Sequence, residues 1–97
     1  MVGPTLLSGA EADKVIQIGG EALRLVVGAA DLFCRSTGRV DPRETSLIVL
    51  MITEVLLEGL LVTQFPEESR VLLMKKISHN VQETLRARAR LEVRGHA

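Results

Sequence analysis

Residues 47–62 read LIVLMITEVLLEGLLV and form the most apolar stretch of the 97-residue chain. A stretch of this length without polar–apolar alternation is typical of a helix. When its residues are placed at 100° intervals around a helix axis, no sector wider than about 60° lacks an apolar side chain. Such a helix needs apolar surroundings on all sides, either in a protein assembly or in lipid.

Another protein chain is the favoured environment for this stretch, and we expect no membrane partner. The stretch is shorter than the roughly 20 residues that span a bilayer, and Glu54 and Glu58 interrupt it. Two neighbouring helices cannot surround a third, so part of its surface is expected to meet another chain. A symmetric homodimer and a complex with a helical protein partner both fit. A monomer fits only if Met51, Leu61 and a few others are exposed singly.

Capping signals divide the chain into three helices of similar length. A serine or aspartate with a glutamate three residues later marks a helix start, proline suits the first turn, and glycine suits the position after a helix end. The predicted helices cover about residues 9–36, 42–64 and 66–93. The residues that carry these signals are Ser8 with Glu11, Gly38, Asp41 with Pro42 and Glu44, and Pro66.

The expected fold is therefore all-α. The short connections place consecutive helices side by side and antiparallel, which predicts a three-helix up-down-up bundle that is completed by a second chain. Residues 1–97 are expected to form a single helical domain with short disordered termini. The 12 basic and 12 acidic side chains cancel, so no strong net field favours nucleic acid or an anionic membrane.

Two adjacent glycines, Gly19 and Gly20, lie inside the first predicted helix and each costs about 1 kcal/mol relative to alanine. Either the pair breaks the helix, or Gly19, Ala22 and Ala29 form a seam of small side chains that another helix approaches closely. The apolar face stays in phase across the pair, which favours the close approach. The expected interface residues are Gly19, Ala22, Leu50, Met51, Leu57 and Leu61.

The third predicted helix has a basic face. Residues 1–69 contain ten acidic and five basic side chains, whereas residues 70–97 contain two acidic and seven basic ones. A solvated face near a helix C-terminus is the simpler interpretation, and a docking strip for phosphates or for an acidic partner is the other. The packed part of this helix is expected to end near Leu85. The candidate anion-binding or partner-binding residues are Lys75, Lys76, Arg86, Arg90 and Arg94.

Few residues suggest chemistry, so we expect no enzyme, no metal, no cofactor and no small-molecule substrate. Glu54 and Glu58 lack the additional Glu and His residues that a di-metal bundle requires, and we expect them to form a solvated edge or to pair with a base from another chain. Cys34, the single cysteine, is expected to be a packing residue. No serine fits a nucleophile-elbow or triad signature.

These observations predict a small non-enzymatic interaction or assembly protein, such as an adaptor or regulator. It would act through a self-dimer or heterodimer interface centred on the second helix. The alternative is a dimeric nucleic-acid-associated regulator that contacts phosphates through the third helix. Residues Met1–Leu7 lack the pattern of a secretory signal, so we expect an intracellular, cytoplasmic location.

Overall fold

The computed structural model describes residues 7–95, and within this range the chain is entirely helical apart from caps and short connections. Helix α1 is Gly9–Ser36, α2 is Pro42–Gln64 and α3 is Glu67–Gly95. The predicted all-α class is confirmed. The predicted disorder of the termini and the predicted lack of a secretory signal mainly concern residues 1–6 and 96–97. These residues lie outside the described range.

Helix α1 begins at the predicted capping box. The Glu11 amide donates to Ser8 Oγ at 3.2 Å, and the Ser8 amide donates to the Glu11 carboxylate at 3.0 Å. The hydrogen bond from the Ser8 backbone is the main reason that the pKa of Glu11 lies below its usual value. At the other end, Thr37 is the C-cap and Gly38 has φ +76°, a left-handed conformation that glycine adopts without strain.

The glycine pair does not interrupt α1. The helix is continuous from Gly9 to Ser36, so the interpretation of Gly19-Gly20 as a break is wrong. The local cost of two glycines is small compared with the hydrogen bonding of a 28-residue helix that has a good cap at each end.

Asp41 caps the start of helix α2, as predicted. Its carboxylate accepts a 2.9 Å hydrogen bond from the Arg43 amide, and its carbonyl accepts one from the Glu44 amide. Side-chain hydrogen bonds from the Arg43 guanidinium are the largest cause of the lowered pKa of Asp41. The Glu44 carboxylate, which the sequence predicts as the second half of a capping box, instead lies 3.8 Å from Arg39 Nε, where it meets a cation.

Helix α3 starts one residue later and ends two residues later than predicted. The Pro66 carbonyl accepts from the Ser69 amide at 2.9 Å, which makes Pro66 the cap and Glu67 the first helical residue. At this junction the Arg70 guanidinium donates to three carbonyl oxygens at the end of α2 and just after it: those of Leu61, Val62 and Phe65.

The contacts divide the chain into two compact units, Met1–Leu56 and Leu57–Ala97, so the boundary falls within the continuous helix α2. In the first unit, the C-terminal half of α1 packs on the first half of α2, with Ala30 and Cys34 buried. In the second, Leu61 is buried next to the start of α3. The single-domain organisation stays a prediction.

Very little of this apolar chain is buried. Among residues 7–95, only Ala30, Cys34 and Leu61 are buried, although 46% of the sequence is hydrophobic. The packed part of α3 ends at Ser78 instead of near Leu85, because every residue from His79 to Gly95 is exposed. The helices therefore present most of their apolar side chains on the outside of the chain.

Candidate protein–protein interaction surface

Helix α2 carries the most concentrated apolar surface. Leu50 and Met51 are each 59% exposed, and Val55 is more exposed still. This confirms that α2 has more apolar surface than the rest of the described chain covers. The large apolar α2 side chains with at least half of their surface exposed are Leu47, Leu50, Met51, Val55, Leu56, Leu60 and Val62.

An open apolar cavity of about 360 Å³ lies on the first unit, beside this surface. Phe33, from the last turns of α1, forms one wall, and α2 forms the rest with Ile48, Met51, Ile52, Val55 and Leu56. No charged side chain lines the cavity. Phe33 is not predicted as part of this surface from the sequence, because its position beside α2 depends on how the two helices are aligned along their axes.

The six predicted interface residues have different environments. Leu50 and Met51 are exposed and available to a partner, whereas Leu57 is half-buried. Leu61 is only 8% exposed, because it packs within the second unit, where α3 begins. Leu61 therefore has almost no exposed surface that a partner could contact, and it does not belong to the exposed surface of α2.

Gly19 and Ala22 are exposed on the N-terminal half of α1. Within the described chain, no side chain and no backbone of another helix lies within 4 Å of the place where a Cβ would stand on Gly19 or Gly20. The seam of small residues is thus not filled by another helix of the same chain in residues 7–95. A close approach at Gly19 requires a second molecule.

The charged residues of α2 are few and lie on its exposed surface. Glu54 and Glu58 are exposed, in agreement with the predicted solvated edge. Arg43 is the single cation in α2, and its side chain is 90% exposed although it contacts Asp41 at 3.1 Å. On a helical wheel, Arg43, Glu54 and Glu58 fall within about 60° of one another, on the face that also holds Leu47 and Leu50.

The predicted basic face of α3 is fully exposed. Arg86 forms a 2.6 Å ion pair with Glu83, one turn earlier. Arg90 and Arg94 flank a shallow depression with Ala89 and Val93. The five candidates Lys75, Lys76, Arg86, Arg90 and Arg94 share one side of the helix, and all of them are exposed.

Metal ligands and the thiol of Cys34 are the features of the described residues that bear on chemistry. No group of three or more His, Cys, Asp or Glu side chains in residues 7–95 is arranged to hold a metal ion. Cys34 is a free thiol with 2% of its surface exposed, packed in the first unit. The exposed apolar side chains of α2 are the clearest feature of the described surface.

Helix α2 also meets the length and composition of a membrane span. It has 23 residues, and its most apolar 18-residue window has a mean hydropathy of 2.0 with 6% of that window buried. The expectation that this stretch is too short to span a bilayer is therefore wrong. The complete helix reaches about 35 Å at 1.5 Å per residue. Glu54 lies next to the midpoint of this helix, where a carboxylate is most costly in lipid.

Comparisons of the chain with protein-family models, with curated proteins and with solved structures give no match. The inference of function therefore depends on the exposed surface of α2 and on the charges around it.

Proposed function

We propose that this protein is a small non-enzymatic interaction or assembly protein that works through self-association, with the exposed face of α2 at the centre of the interface. The exposed apolar surface of α2 carries this proposal. Leu50 and Met51 are the central contacts, and Gly19 and Ala22 of α1 give a second helix a close approach.

The free energy gained by burying the exposed apolar side chains of α2 is large for a chain of this size. The exposed fractions of the seven large α2 side chains together equal about four complete side chains. At about 1.5–3 kcal/mol for each buried side chain, covering all seven would contribute on the order of 6–12 kcal/mol, and a single partner helix that contacts one side of α2 supplies a part of this. This is comparable with the whole stability of an ordinary domain, about 5–15 kcal/mol, so the partner acts as part of the fold.

A second copy of the chain is the partner that we propose. Closed two-fold dimers are the commonest protein assemblies, and they require a surface that is complementary to itself. An apolar helix face with one cation and several carboxylates meets that requirement. In this proposal, the three helices adopt the up-down-up antiparallel arrangement, and the second chain completes the apolar core that one chain lacks.

Melting at different protein concentrations tests this proposal. If folding and association are coupled, the Tm rises with chain concentration, because mass action favours the folded dimer. Thermal melts followed by circular dichroism between about 5 and 500 μM chain measure this shift. A Tm that is constant over this range, together with a monomeric mass, would contradict the proposal.

Insertion into a membrane is the other way in which the exposed apolar surface of α2 could be covered. Glu54 and Glu58 oppose it, because each carboxylate near the bilayer centre costs several kcal/mol unless it is paired. Flotation with phosphatidylcholine vesicles separates the two cases. We expect the protein to stay in the dense fraction without detergent, and flotation with the vesicles would overturn self-association as the role of α2.

A second candidate function, phosphate binding by a nucleic-acid-associated regulator, is supported by the exposure of the entire basic face of α3. Only Arg86 among the five candidate cations has an ion-pair partner in the described residues. Retention on duplex DNA or heparin that falls steeply between low and moderate salt would favour this function. Flow-through at low salt would remove it.

A further inference from the structure

We propose that two copies of α2 pair antiparallel about a two-fold axis that passes between Leu50 and Met51, with Arg43 of each copy facing Glu58 of the other. This inference rests on the proposed self-association and adds its direction and register. The exposed face of α2, defined as Arg43, Leu47, Leu50, Met51, Glu54 and Glu58, carries it.

The charges on this face exclude most registers. Helix α2 has three carboxylates, Glu44, Glu54 and Glu58, and a single cation, Arg43. A parallel, in-register pair would place Glu54 against Glu54 and Glu58 against Glu58. An antiparallel pair with its axis at Glu54 would also bring two carboxylates together. Like charges placed directly opposite each other destabilise an interface.

Two antiparallel registers relieve this repulsion, and one of them gives the longer overlap. When residues whose numbers sum to 101 face each other, Arg43 meets Glu58 at both ends of the pair, and Leu50 meets Met51 next to the axis. A shift of about one turn would bring Arg43 to Glu54 and Glu58 to Arg39, which already lies 3.8 Å from Glu44 of its own chain. This shift would shorten the overlap of the two helices to residues 42–55. The first register keeps more of the exposed apolar face covered.

The burial of Leu61 agrees with the same register. In this pairing the overlap runs from residue 42 to residue 59 and stops before Leu61, which is already buried within its own chain. The partner therefore covers the open face up to residue 59, and the exposed side chains of Leu60 and Val62 lie beyond the overlap. The side chain of Arg43 is 90% exposed and can turn from Asp41 towards a partner.

A charge-reversal cycle tests the register. We expect Arg43→Glu and Glu58→Arg each to weaken dimerisation about tenfold at low salt, because each single change replaces two ion pairs of the dimer with two like-charge contacts. The double variant R43E/E58R restores both pairs with reversed polarity, and its dimer Kd is expected to lie within about twofold of the parent value. Sedimentation equilibrium measures these constants, and far-ultraviolet circular dichroism verifies that each variant stays helical.

A distance measurement provides a second, independent readout. On a Cys34→Ala background, spin labels at Thr63→Cys of the two copies are expected about 39 Å apart, from 1.5 Å of rise per residue and a helix spacing of about 9 Å. A distance of about 10 Å would indicate a parallel pair, and about 28 Å would indicate an axis at Glu54. Either value overturns the register.

The outcomes separate this inference from the function on which it depends. A dimeric parent chain whose single reversals bind as well as the parent, or whose double variant fails to recover, overturns the register and leaves self-association standing. A parent chain that is monomeric overturns both.

Discussion

Arg70 Nε donates a hydrogen bond to the Leu61 carbonyl oxygen at 3.1 Å, nine residues earlier in the chain. The same guanidinium also reaches the carbonyls of Phe65 and Val62, at 3.0 and 2.8 Å. Helix α2 has no basic residue in its last turn. Arg70, from the first turns of α3, supplies the donors and the positive charge that the end of α2 requires.

This contact fixes the junction between α2 and α3 in the second unit. Two donor nitrogens of one rigid planar guanidinium reach three carbonyls at once: Nε is shared between those of Leu61 and Phe65, and Nη2 donates to that of Val62. Arg70 is half-buried, so solvent competes less for these bonds. Leu61, whose carbonyl accepts one of these bonds, is the buried apolar residue of the unit. The polar and apolar contacts of this turn therefore support each other.

Arg70→Lys and Arg70→Ala are expected to destabilise the protein by about 1–3 kcal/mol, because hydrogen bonds to a charged donor are lost and carbonyls are left without partners. Lysine keeps the charge but cannot serve three carbonyls in this geometry, so it should recover less than half of the loss. Urea unfolding at one fixed chain concentration measures the effect. A midpoint equal to that of the parent in both variants would show that water replaces the guanidinium without cost.

The helix ends were predictable from the sequence, and the contacts between helices were not. Ser8, Glu11, Gly38 and Asp41 act on neighbouring backbone groups, so their effect can be inferred from a few residues. Burial depends on the translation of one helix along another, which the helical wheel does not determine. For this reason the sequence predicts Leu61 as an interface residue, whereas the structure buries it within its own chain.

The capping box of α1 makes a pH-dependent contribution to helix stability. The pKa of Glu11 is lower in the folded protein than in the unfolded chain, so its contribution is present above the unfolded value and is lost as the pH falls through the folded value. We expect the first turn of α1 to loosen as the pH falls from the usual pKa of a glutamate towards the lower folded value. Carbon-13 titration of the Glu11 carboxyl measures the pKa.

Ser8→Ala tests the cause of this shift. We expect it to raise the pKa of Glu11 part of the way towards its usual value and to cost about 1 kcal/mol of stability at neutral pH. The hydrogen bond from the backbone amide of residue 8 to the Glu11 carboxylate has the largest effect on this pKa. It survives in this variant only if the turn keeps its geometry. A Glu11 pKa at its usual value in the parent protein would contradict the capping account.

Met51→Glu is expected to abolish self-association, because the carboxylate would lie unpaired next to the proposed axis. The matched control is Val40→Glu, which replaces a 94% exposed apolar residue outside α2. The control should keep the mass and Tm of the parent. A Met51→Glu chain that is still dimeric by sedimentation would place the interface elsewhere.

Gly19→Leu distinguishes a glycine that another chain approaches from one that is merely tolerated. Within one described chain a Cβ at Gly19 has no atom of another element within 4 Å, so we expect a loss to arise mainly in the assembly. We expect association to weaken by about 1–3 kcal/mol from overpacking. Gly28→Leu, at an equally open position on a different face of α1, is the control. Equal association in both variants would show that no partner helix lies close to Gly19.

The absolute molar mass of the protein in solution tests the central claim most directly. Light scattering with refractive-index detection is suited to a chain without Trp or Tyr, which absorbs almost nothing at 280 nm. The proposed homodimer predicts about 21 kDa, twice the 10.6 kDa of the chain, at concentrations where the helices are formed. A folded species of 10.6 kDa that persists at millimolar concentration would contradict it.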